Sequence, residues 1–112
     1  MWRALAVVDE VRMWAGVQPA RIPAGYPAAG DDALWHDRGA ILRDVILDVV
    51  PERRLLSRLE RGPALVIEEY RLAPLANGRA TRLVATWRGH AALADGNRPT
   101  MERLQGWCEA VP

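Results

Sequence analysis

The strongest constraint on this chain is a pair of alternating segments joined by one unmistakable turn. From Ala64 to Leu72, Val66, Glu68, Tyr70 and Leu72 fall on one side, and Leu65, Ile67, Glu69 and Arg71 on the other. From Thr81 to Gly89, Leu83, Ala85 and Trp87 oppose Arg82, Val84, Thr86 and Arg88. This period of two is that of a β-strand. Asn77-Gly78 between the segments accepts the positive φ of a tight hairpin turn. One apolar face and one polar face mark an antiparallel sheet covered on one side only, so another part of the chain has to supply the cover.

Two further strands precede this hairpin. Residues 33–37 form a short one, Gly39 allows a turn, and residues 40–50 form a long one. Alternation places Ile41, Arg43, Val45, Leu47 and Val49 together as the drier face, against Leu42, Asp44, Ile46, Asp48 and Val50. Pro51-Glu52 begins a turn, and Arg53 to Leu59 returns as another strand, ended by Glu60-Arg61-Gly62-Pro63.

Helical spacing occurs at both ends. Met1, Leu5, Val8, Val11 and Ala15 share one face over residues 1–16, with a break expected near Asp9 and Trp14 turned inward. Near the C-terminus Pro99 opens a segment in which Met101, Leu104, Trp107, Cys108 and Val111 form one face, the expected cover of the sheet. Residues 16–32, rich in Pro and Gly, read as a long loop with Ile22 and Tyr26 as apolar anchors. The order of helix, loop, antiparallel strands and helix is α+β.

Composition narrows the function. A chain of 112 residues fits a single domain, residues 1–112, that buries roughly two-thirds of its unfolded surface. Fifteen basic and 14 acidic residues give a net charge of +1 with no basic block, so a nucleic-acid partner is not expected. Apolar runs such as Ala4 to Val8 are too short to span a membrane, and the N-terminus lacks the apolar core of a secretory leader. The single cysteine, Cys108, excludes an internal disulfide framework and fits a cytoplasmic protein. His36 and His90 stand apart from any cysteine or carboxylate cluster of zinc spacing, and Asp31-Asp32 lacks the alternating ligands of a calcium loop. Neither a metal nor another cofactor is expected.

The short blocks resemble a known superfamily. Trp2-Arg3-Ala4-Leu5 with Asp9-Glu10-Val11-Arg12-Met13-Trp14 resembles the first two helices of the START-like, or SRPBCC, superfamily. Asp44 to Leu55, with its Pro51 turn, resembles the superfamily's characteristic strand and the start of the next. Glu69 to Leu75, Asn77-Gly78 and Thr81 to Trp87 resemble its paired strands. The resemblance implies a helix-grip fold, a curved antiparallel sheet around a C-terminal helix with an apolar cavity between them. Relatives of this kind include lipid-transfer proteins and polyketide cyclases or aromatases. The superfamily begins with a strand before its first helix, whereas this sequence opens at the helix. The sheet edge so exposed suggests a homodimer.

Candidate ligand-facing residues follow from the expected faces: Trp35, Arg43, Val45, Leu47, Glu68, Tyr70, Leu72, Leu83, Ala85 and Trp87 from the sheet, with Leu104 and Trp107 from the terminal helix. Core packing is the competing role for each aromatic. Glu68 shares a face with Tyr70 and Leu72, where burial would make it a general base or a polar anchor. Alternatively it sits at the sheet end and meets water or an arginine. A buried pair with Arg43 is a third arrangement. The expected function is binding of a hydrophobic or aromatic small molecule in a pocket of a few hundred cubic ångströms, against an enzyme of the cyclase type or a protein-interaction module without ligand.

Overall fold

The computed structural model describes residues 2–75, 81–89 and Arg103. The expected turn at Asn77-Gly78, the loop with His90, and the C-terminal helix face with Leu104, Trp107 and Cys108 lie outside the described residues.

Two short helices, α1 (Trp2–Ala6) and α2 (Val8–Ala15), lead into six strands: β1 (Gln18–Arg21), β2 (Asp32–Asp37), β3 (Ala40–Val50), β4 (Arg54–Arg61), β5 (Ala64–Pro74) and β6 (Thr81–Gly89). The strands pair antiparallel with their sequence neighbours in the order β1-β2-β3-β4-β5-β6. The result is an α+β domain, as its sequence pattern predicts. The helix break falls at Val7, whose extended backbone caps α2, two residues before the expected position. Gly16 closes α2 in the left-handed conformation.

Turn chemistry sets the hairpins. Arg38 and Gly39 both have positive φ between β2 and β3, the pair of conformations that matches the twist of a two-residue hairpin. At the next corner Arg53 donates its N–H to the Val50 carbonyl across Pro51-Glu52.

Cross-strand register fixes a single inner face. One row runs Ala33, Asp44, Leu59, Val66, and the next Ile46, Ser57, Glu68, Trp87. Leu55, Tyr70 and Ala85 continue it, followed by Leu72 opposite Leu83. Against this face pack Ala4, Leu5 and Trp14 of the helices, forming one core with Ile46, Leu55, Tyr70 and Leu72. The Trp14 indole locks the helix pair by donating to the Ala4 carbonyl at 2.6 Å. Val17, Ala33 and Trp35 form a second core, joined by Ile22 and Tyr26 from the loop. The N-terminal helices thus supply cover on this face, while the C-terminal segment expected to cover it lies outside the described residues.

The outer face carries a lattice of ion pairs: exposed Arg43 with Asp32 and Glu60, and half-buried Arg54 with Asp48 and Glu69. Solvent screens pairs of this kind, so they add little to stability.

Two expectations need correction. On β3 the inner face is Leu42, Asp44 and Ile46, whereas Arg43 and Leu47 are exposed and Val45 is half-buried on the other side. Assigning the face by dryness misplaced the strand, because choosing the wrong parity moves every side chain across the sheet. A register shift between Ile46 and Asp48 then brings Val49 back inward, so it packs on the main core. The second correction concerns residues 18–21, read as loop but forming the edge strand β1, exposed along its length. Pro19 hid it, since proline is tolerated at edges and seldom elsewhere in a sheet.

Candidate functional site

Between the helix pair and the inner face lies a cavity of about 160 Å³. Its wall is apolar where Leu5, Val11, Trp14 and Val17 meet Trp35, Leu42, Leu55 and Leu59, but polar groups converge on it from the sheet.

Asp44 is the most buried of these, at 8% exposure. Tyr26 reaches it from the loop and donates its hydroxyl to Oδ2 at 2.6 Å. The loop holds Tyr26 there because Gly30 N–H bonds the Ile46 carbonyl and Ile46 N–H bonds the Asp31 carbonyl, both at 2.8 Å. Tyr26 also meets Trp35 edge to face, with ring centroids 6.1 Å apart. The second oxygen of Asp44, Oδ1, has no hydrogen-bond partner. Burial pushes the Asp44 carboxyl above its ordinary range, with Tyr26, Trp35 and Ser57 pulling against it.

Glu68 stands one residue pair further along the face, opposite Ser57 on β4 and Trp87 on β6. The Trp87 indole donates to Oε2 at 2.7 Å. Its carboxyl is pushed up to about 7, chiefly by burial and further by the charge of Asp44, while the bond from Trp87 opposes the rise. Tyr70 beside it is 3% exposed and packs edge to face on Trp87 at 6.3 Å. Burial and the neighbouring Glu68 raise the Tyr70 hydroxyl well above its usual value.

At the hairpin end of the sheet the wall becomes cationic. Arg38, Arg61 and Arg103 all border the cavity. Asp37 accepts from both Arg61 and Arg38, each at 3.4 Å.

Of the residues singled out from sequence, Trp35, Glu68 and Tyr70 border this cavity. Leu72, Leu83, Ala85 and Trp87 share the inner face beyond it. Arg43, Val45 and Leu47 lie on the opposite side of the sheet, so Arg43 pairs with Asp32 and Glu60 and forms no pair with Glu68. Leu104 and Trp107 fall outside the described residues. Sequence reasoning missed Asp44 and Ser57. The signal for Asp44 was its place between Leu42 and Ile46 at period two, masked by the general exclusion of carboxylates from cores.

No family model matches the chain, and no curated protein does. Solved structures do resemble it. Protein CV1439 from Chromobacterium violaceum is similar over 98% of this chain and 85% of its own, with a TM-score of 0.72 and 16% identity. The Mll3558 protein from Rhizobium loti is similar over 95% of this chain and 85% of its own, with a TM-score of 0.66 and 23% identity. These likenesses show the fold. Among the described residues, no helix is long and apolar enough to cross a membrane.

Proposed function

We propose that this domain binds a small hydrophobic or aromatic molecule in the cavity between the α1-α2 pair and the inner face of the sheet. The observation that carries the reading is the convergence of aromatic rings with the carboxylates of Asp44 and Glu68 on one half-open cavity. A binding pocket is typically an apolar wall with a few placed polar groups. The volume, about 160 Å³, is close to that of a dry protein cavity that takes up benzene. It therefore favours a ligand of one ring or similar bulk over an extended lipid or polyketide chain. The helix-grip architecture, with residues 99–111 as the gripped helix, is the finer arrangement we infer from the START-like resemblance.

One observation favours a second, catalytic reading of the same pocket. A carboxyl that titrates near 7 on a cavity wall is suited to proton transfer at neutral pH. Glu68 would be the acid–base group, as in an enzyme of the cyclase type, with Tyr70 orienting it. Native mass spectrometry of freshly purified protein, compared with its denatured mass, tests the binding reading. A co-purified small molecule of single-ring mass, lost on denaturation, is expected. Protein that arrives bare and stays bare after incubation with millimolar phenol would refute it.

A further inference from the structure

The cavity is electrically two-ended. Asp44 and Glu68 belong to adjacent rows of the inner face, and among the described residues neither carboxylate pairs with a guanidinium. Asp44 Oδ1, on a side chain more than nine-tenths buried, has no partner at hydrogen-bonding geometry, with Trp35 and Ser57 close enough only to ease its burial. Buried acceptors left unmade are costly and uncommon, so this oxygen is the natural place for a ligand to donate. At the other end, the guanidiniums of Arg38, Arg61 and Arg103 border the cavity, and Asp37 accepts from the first two, so among the described residues that end carries more positive than negative charge.

The strands give the separation. Arg61 lies on the inner-face parity of β4, two residues from Leu59, which pairs with Asp44. At strand rise this is roughly 7 Å, and Ser57, which pairs with Glu68, is roughly 13 Å away. A single ring with a substituent at each end spans the shorter of these.

Building on the cavity-binding reading, we infer that the ligand is a ring-sized molecule with an anionic group held by Arg61, assisted by Arg38 and Arg103, and a hydrogen-bond donor given to Asp44. Hydroxy- and amino-substituted aromatic carboxylates have this form. A purely apolar molecule would leave Asp44 Oδ1 unpartnered, and a cation would meet the arginines that border the cavity.

Calorimetric titration of the whole chain with 4-hydroxybenzoate, benzoate, phenol and 4-methoxybenzoate separates the parts. Benzoate lacks the donor, phenol lacks the anion, and 4-methoxybenzoate replaces the donor with an acceptor. 4-Hydroxybenzoate is expected to bind roughly tenfold or more tightly than each of the others. Arg61→Gln, checked by thermal melting to be folded, should reduce 4-hydroxybenzoate to the affinity of phenol and leave phenol unchanged. Equal affinity for all four compounds would overturn the two-ended site while leaving the cavity reading intact. Absence of binding by all four would remove both.

Discussion

Replacing Glu68 with glutamine should make the domain more stable at alkaline pH. In the fold this carboxyl titrates at about 7, against an ordinary 4.5. Each pH unit separating folded and unfolded values corresponds to about 1.4 kcal/mol, so ionised Glu68 disfavours the fold by about 3 kcal/mol. The sign follows from proton binding. Between pH 4.5 and 7 the folded chain keeps a proton that the unfolded chain has lost, so stability falls as pH rises, and above 7 the full cost applies. Asp44, also raised by burial, acts in the same direction. Asp32 and Glu69, which their arginine partners hold below the ordinary carboxylate range, titrate beneath this window. Glutamine keeps an acceptor for the Trp87 indole and cannot ionise. Melting followed by circular dichroism at pH 8.5 should place Glu68→Gln on the order of 10 °C above the parent, at about 4 °C per kcal/mol. The gap should narrow to a few degrees at pH 5. Melting temperatures that run parallel from pH 5 to 8.5 would show that Glu68 titrates as an ordinary surface acid and refute the argument.

Two other substitutions probe the surroundings. Tyr26→Phe removes the 2.6 Å bond to Asp44 and leaves the buried carboxylate with only the weaker support of Trp35 and Ser57. It should cost about 1–3 kcal/mol in urea denaturation at pH 8, with the loss shrinking as the pH falls and the raised Asp44 carboxyl takes up its proton. Gly89→Ala would put a methyl group into the Leu65 carbonyl on β5 at a backbone φ of +137°. Urea denaturation should show a loss above about 2 kcal/mol; a loss below about 1 kcal/mol would mean that β5 and β6 separate easily at this end.

The parts of the fold legible in the sequence are those where both faces of a strand differ in polarity. On β5 and β6, the aromatic and aliphatic positions Tyr70, Leu72, Leu83 and Trp87 face charged ones, and parity alone places them correctly, with Glu68 carried inward among them. On β3 both faces are rich in aliphatics, and the deciding residues were two aspartates. Asp48 points to the outer lattice, where it pairs with Arg54, but Asp44 is buried on a tyrosine 18 positions earlier in the chain. That tertiary bond has no local signature, so a rule that keeps carboxylates in water inverted the strand. The bulge beside Leu47 reverses parity within the strand, so Val49 alone of the face expected to be inner reaches the core. Tyr26 was legible as an anchor of the loop but not as the donor that makes a buried aspartate tolerable.

The most direct test of the cavity is the set of indole N–H signals in a proton–nitrogen NMR spectrum during titration with phenol. Trp35 borders the cavity and Trp87 is bonded to Glu68 in its wall, whereas Trp2 lines a separate cleft near Leu72 and Pro74. Binding in the cavity predicts saturable shifts of the Trp35 and Trp87 signals with Trp2 unmoved. Indoles that all drift without saturation, or that stay fixed at millimolar phenol, would contradict it.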